Sequence, residues 1–187
     1  RSGLRHCDAL VMNADFARAM QTLVPDRLRR RWSDRRLART KLSCSAFMLY
    51  LGIDGRYEDL AHHTIWLADD YEEQLVDCHE RHRLPANPSI YVHNPSLIDP
   101  SLAPPGMSSL YVLAPVTHMH PNVDWPREKA AFRRLVYRQL AKLGLDDLER
   151  RVRTEIVHTP ADWQDVTGLY RGATFSLAHS LDQMLSL

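Results

Sequence analysis

The chain has 187 residues, 44% of them hydrophobic, 8% aromatic and 25% charged, and 24 Lys and Arg against 23 Asp and Glu leave a formal net charge of +1. This balance excludes a disordered chain and gives no global field of the kind that marks a dedicated nucleic-acid binder. No stretch approaches the ~20 uninterrupted apolar residues that span a bilayer, so no transmembrane helix is expected.

In chain order, the apolar run Leu10, Val11, Met12 reads as a strand end. It gives way to the polar turn Asn13-Ala14-Asp15, which can cap a helix carrying Phe16, Ala17, Ala19, Met20 and Leu23. Residues 27–41 hold eight basic side chains against Asp34 alone, the one strongly charged segment. Residues 42–53 (LSCSAFMLYLGI) form the best strand in the sequence and are expected at the centre of a sheet. Residues 63–68 (HTIWLA) give a second strand. Asp69 or Asp70 then caps a helix expected to run to about Arg83, where Pro85 and Pro88 forbid continuation.

Residues 89–93 and 109–116 are two further strands, joined by a stiff loop containing Pro95, Pro100, Pro104, Pro105 and Gly106. Asp124 and Pro126 open a helix whose apolar positions Phe132, Leu135, Val136, Leu140 and Leu143 recur at helical spacing, with Gly144 near its end. Residues 153–159 are a last strand and residues 160–163 start a short helix. The alternation of strands and helices implies an α+β fold, a mixed, largely antiparallel sheet flanked by helices.

The chemistry-bearing residues are sparse. The glycines form neither GxGxxG nor a P-loop, and HExxH and GxSxG are missing, so no phosphate cradle and no catalytic residue can be singled out. His62 with His63, His79 with His82, and His118 with His120 invite a metal, but no acidic or cysteine partners complete a ligand pattern. No metal is expected, and His79 and His82 read as the solvated face of a helix. The basic run 27–41, with Trp32 inside it, reads as a solvated surface or a contact for anionic lipid. Phe47, Tyr50, Trp66, Tyr91 and Tyr111 could line a hydrophobic tunnel or simply fill a core. Cys7, Cys44 and Cys78 are an odd set at wide spacing, which fits a reducing, cytoplasmic setting. A first residue of Arg1 and a last segment without a helix stop signal suggest an excised piece of a longer chain.

Several segments together resemble the bacterial-type phytoene desaturases, the FAD-dependent carotenoid desaturase family. They are Val11-Met12-Asn13-Ala14-Asp15, Leu60-Ala61-His62-His63-Thr64, Asp99 through Gly106 (DPSLAPPG), and Tyr111 through His118 (YVLAPVTH). Asn122-Val123-Asp124-Trp125, His158-Thr159-Pro160 and Gly172-Ala173-Thr174-Phe175-Ser176 follow in the same order. The resemblance implies the substrate domain of an amine-oxidase-type flavoprotein fold. Residues 1–25 would be a stub of the FAD-binding domain and crossover, 26–167 the substrate-binding domain, and 168–187 the start of the return to the FAD-binding domain.

It further implies a desaturase of a long-chain carotenoid such as phytoene, with the fragment alone inactive and the FAD site mostly outside it. Asn13, Ala14 and Asp15 would approach the cofactor, and Phe47, Tyr50, Tyr91, His93 and Tyr111 are substrate-binding candidates. The partners implied are a hydrophobic carotenoid and the membrane surface, reached by residues 27–41 of a cytoplasmic, peripherally attached enzyme, with no nucleic acid. A later-pathway desaturase, a saturase and a non-enzymatic lipid- or carotenoid-binding domain remain alternatives.

Overall fold

A computed structural model of the chain describes Gly3 and residues 6–184. The chain divides into two compact units, Arg1–Thr40 and Lys41–Leu187.

In the first unit, helix α1 (Phe16–Leu23) starts where expected, because the Asp15 carboxylate accepts a hydrogen bond from Arg18 N at 2.8 Å and satisfies one of the free amides of the first turn. The expected strand at Leu10, Val11 and Met12 does not form. These residues belong to no strand and are exposed, Val11 at 92%. The basic run folds as a 3₁₀ turn (Asp26–Leu28) and the short helix α2 (Asp34–Leu37), capped by Ser33.

The second unit is built on one five-stranded, wholly antiparallel sheet. Its strands are β1 (Ser45–Asp54), β2 (His63–Trp66), β3 (Ile90–His93), β4 (Met107–Val116) and β5 (Val152–His158), in the order β2-β3-β4-β1-β5. The α+β expectation holds, and β1 pairs on both sides as a central strand should. β1 begins at Ser45 rather than at residue 42; Leu42 makes only an isolated bridge to Leu177. β2 stops at Trp66 because Ala68 N turns away to donate to Ser89 Oγ.

Strand alternation divides the sheet into two faces. Phe47, Leu49, Leu51 and Ile53 of β1, Ile90 and Val92 of β3, and Leu110, Val112, Ala114 and Val116 of β4 are all buried on one face. The long helix α4 (Trp125–Ala141) covers them with Trp125, Phe132, Val136, Tyr137 and Leu140, and Leu148 of the short helix α5 (Leu148–Arg151) joins the same core. Asp124 caps α4, and Pro126 sits in its first turn, where its missing N–H costs nothing.

The helix expected to run unbroken to Arg83 does not. It is α3 (Tyr71–Val76) followed by one π turn (Asp77–Arg81), and His82 takes a left-handed conformation with φ +50°. The cause is Asp77: its buried carboxylate accepts from Arg81 at 3.0 Å and Arg83 at 2.6 Å, while its carbonyl accepts from His82 N, which closes the turn one residue wide, and also from Arg83 N.

Helix α6 (Pro160–Thr167) opens with a complete capping box between Thr159 and Asp162. It ends at Gly168, whose φ of +73° suits a residue without a Cβ. A final short helix, α7 (Leu181–Met184), follows.

Candidate functional site

The sheet face turned away from α4 carries a different chemistry. Register places His63, His93, Tyr111, Tyr50 and Ile156 opposite one another in a row that crosses all five strands. The adjacent row on the same face is Ile65, Tyr91, Leu113, Met48 and His158. At the usual strand spacing each row spans about 19 Å. The rings touch along their length: Tyr50 meets Tyr111 edge-on at 5.4 Å between centroids, Tyr91 meets Tyr111 at 6.1 Å, and His93 stacks on His63 at 4.7 Å. Ile65 and Ile156, at the two ends, remain 69% and 58% exposed. Such a density of apolar and aromatic surface facing outward makes this face the candidate binding surface.

Beside Tyr111 and Leu113 the face deepens into a hollow of about 400 Å³, walled also by Met48, Trp163 and Phe175. Trp163 is held there by α6 and by its indole N–H, which donates to Ala46 O at 2.7 Å. His158 packs edge-on against both Trp163, at 4.7 Å, and Tyr50, at 5.6 Å. Its Nδ1 and the hydroxyl of Thr174 at the hollow's edge are buried without a hydrogen-bond partner. A second recess, of about 790 Å³, is lined by Arg56, Glu58, Asp59, Asp146, Arg150 and Arg151, and its charges suit a polar ligand rather than a hydrocarbon.

Four of the five substrate-binding candidates, Tyr50, Tyr91, His93 and Tyr111, lie together on this face. Phe47 does not. It is fully buried on the opposite face, edge-on to Phe132 at 5.0 Å and stacked with Trp125 at 6.1 Å, and so belongs to the core. Trp66 likewise packs against the core side. Sequence reasoning missed Met48, Leu113, Ile156, His158 and Trp163. Parity was the available signal for the first two, since residues two apart on a strand share a face.

Burial raises the pKa of Tyr50, helped by Tyr111, and raises that of Tyr111, helped by Tyr91, so both phenols stay neutral hydrogen-bonding groups. Burial, with His62 and His63 beside it, lowers the pKa of His93. Near the other end of β4, His82 is not the solvated residue expected. It is half-buried, bonds Thr117 Oγ1 at 2.9 Å and stacks on His120 at 4.3 Å. His118, buried beside it, is pushed down to about 4 by desolvation, then by Arg171, His82 and His120.

The residues expected at the cofactor lie just before the start of α1. Asp15 spends its carboxylate on capping α1, and Asn13 and Ala14 are exposed. In the basic run, Arg29 is 8% exposed and tied to Asp34 at 2.5 Å and to Val24 O at 2.8 Å, which removes it from the surface charge; Arg27, Arg30, Arg31, Arg35, Arg36 and Arg39 are exposed. Among the described residues, no helix is long and apolar enough to cross a membrane.

Comparison with known proteins agrees with the resemblance. The chain is homologous to carotenoid desaturases. It is 41% identical over 179 residues to the 4,4'-diapophytoene desaturase (4,4'-diapolycopene-forming) of a Methylomonas species, which covers 95% of this chain and 35% of that protein. It is 41% identical over 180 residues to the all-trans-zeta-carotene desaturase of Myxococcus xanthus, covering 95% of this chain and 34% of that protein. It is 34% identical over 177 residues to the lycopene-forming phytoene desaturase of Pseudescherichia vulneris, covering 94% and 36%. The chain thus spans about a third of the length of the curated relatives it matches. No protein-family model matches it.

Proposed function

We propose that this chain is the substrate-facing part of an FAD-dependent carotenoid desaturase, and that the two aromatic and apolar rows on the open sheet face form one wall of the site for a long polyene. The observation that carries this reading is the row His63, His93, Tyr111, Tyr50, Ile156, which lays a continuous strip across the sheet on the face that α4 leaves free. A rigid sheet is suited to the protein's share of such chemistry, which is to hold a flexible hydrocarbon straight and keep water away from it. The relatives are named for different substrates, diapophytoene, zeta-carotene and phytoene, so the substrate is assigned as a class: a long-chain carotenoid such as phytoene.

FAD is implied by the resemblance, and its binding residues are assigned to parts of the protein other than this face, with at most the backbone of Asn13, Ala14 and Asp15 approaching it. We assign residues 1–25 and 168–187 to the connections with the FAD-binding domain. The test is to express the whole protein that contains this chain, supply flavin, and offer phytoene, diapophytoene and zeta-carotene in liposomes. The expected result is a product with a longer conjugated chromophore. Leu113→Asp, which places a charge in the middle of the face, should lower turnover more than about 100-fold while leaving the melting temperature within a few degrees. No conversion of any of these carotenoids, or full activity in Leu113→Asp, would refute the reading.

A cytoplasmic enzyme that takes its substrate from a bilayer must touch the bilayer surface. The exposed arginines of residues 27–39 are assigned to that contact, each contributing about 1 kcal/mol against anionic lipid. Replacing Arg30, Arg31 and Arg35 by Gln should therefore reduce flotation with anionic liposomes severalfold, and unchanged flotation would remove the assignment.

A further inference from the structure

His62, His63 and His93 come together at the edge of the sheet. His63 lies on β2, His93 directly opposite it on β3, and His62 in the bend immediately before β2, whose carbonyl accepts from Asn94 N at 2.9 Å. One ring nitrogen from each of the three lies within 4.8 Å of the others, and the Nε2 atoms of His62 and His93 are 3.0 Å apart. Tetrahedral coordination at a Zn–N distance of about 2.0–2.1 Å requires ring nitrogens about 3.3 Å apart, so the closest pair is already in place and the others must close by at most about 1.5 Å.

His63 also has a partner for its other ring nitrogen. The Tyr91 hydroxyl sits 2.6 Å from His63 Nδ1. Where Nδ1 donates to that oxygen, Nε2 carries the free lone pair, which is how outer groups usually fix the tautomer of a ligating histidine. The rings of His63 and His93 are stacked, only 11° from parallel, and His62 packs against both, at 4.1 and 4.7 Å, so neighbours limit the rotation of all three.

We propose that His62, His63 and His93 form a three-imidazole site for one late first-row divalent ion, zinc or a close analogue such as Co²⁺ or Ni²⁺. An all-nitrogen set selects this class over Mg²⁺ or Ca²⁺, which prefer oxygen ligands. Three protein ligands leave a fourth position for water. The site has a structural consequence as well. β2 is a four-residue edge strand paired only with β3, and an ion held by His62, His63 and His93 would clamp this strand and the bend before it to the sheet. His63 and His93 also stand in the row assigned to the polyene, but the site does not rest on that reading, because its test uses metal ions alone.

The test uses the tag-free full chain, stripped of metal by chelation and titrated calorimetrically with Zn²⁺ alone, with Co²⁺ as a second probe read by its visible d–d bands. The expected result is one ion per chain at micromolar Zn²⁺, weakened by at least about tenfold in H63Q and in H93Q, and more mildly in Y91F. Zn²⁺ should raise the melting temperature of the wild type and leave that of H63Q unchanged. H62Q alters a residue outside every strand and reads the same site if H93Q does not fold. H120Q controls for the separate cluster of His82, His118 and His120 and should bind as the wild type does. The proposal is overturned by no saturable uptake, by uptake unaltered in H63Q and H93Q, or by uptake lost in H120Q and retained in H63Q.

Discussion

Phe47→Ala distinguishes the two faces of the sheet most directly. Phe47 has no exposed surface and contacts both Phe132 and Trp125, so its truncation removes a buried aromatic ring and leaves a cavity under α4. The cost for such a change is about 3–5 kcal/mol. With a urea dependence of about 2 kcal/mol/M, the unfolding midpoint should fall by about 2 M, a large part of the 5–15 kcal/mol that holds a domain of ordinary stability. Tyr111→Ala, on the other face, removes a ring that is partly open to solvent and leaves no closed cavity under a helix, and should cost less, about 1–2 kcal/mol. Equilibrium unfolding in urea, followed by tryptophan fluorescence, measures both. Equal losses at the two positions, or a loss below about 1 kcal/mol at Phe47, would refute the division of the sheet into a core face and a binding face.

Thr159→Ala breaks the capping box that starts α6 and should cost about 1–2 kcal/mol; because α6 carries Trp163 to the hollow, the indole's emission should also shift, and an unchanged midpoint would refute the role of the cap. His118, held neutral with its pKa pushed down to about 4, makes stability pH-dependent in one window. Above about pH 6.5 it is neutral folded and unfolded and contributes no slope, whereas between 6.5 and 4 the unfolded chain takes up the proton first and stability falls with pH, by on the order of 2–3 kcal/mol in all. Unfolding at pH 7, 5.5 and 4.5 should show that fall in the wild type and a flatter profile in His118→Gln; identical profiles would refute it.

Most of the fold was legible because its signals are local. β4 is marked by the apolar run of residues 110–116 that follows the proline-rich loop, and α4 announces itself with Asp124, Pro126 and a 3.6-residue apolar period. What sequence could not show was set by contacts between distant residues. The π turn depends on the buried carboxylate of Asp77 gathering Arg81 and Arg83, and the early end of β2 depends on the hydroxyl of Ser89. Phe47 is a different case. It stands three residues from Tyr50 on one strand, so the two cannot share a face, and parity alone places one of them in the core. The grouping of His62, His63 and His93 was hidden, since it arises from the β2–β3 register, which pairs residues 30 positions apart.

An apolar polyene buried against a face rich in hydroxyl and imidazole groups would ordinarily strip those groups of water at a cost of about 1–3 kcal/mol each. Here part of that cost is already met inside the protein: Tyr91 and His63 bond each other at 2.6 Å, and His62 and His93 do so at 3.0 Å. Tyr50 and Tyr111 meet edge to face along the row. Covering this face therefore displaces water mainly from hydrocarbon, at about 25 cal/mol per Å² of gain, while the paired polar atoms keep their partners. The same pairing holds the side chains in fixed positions before any ligand arrives, so a long flexible molecule bears the ordering cost alone.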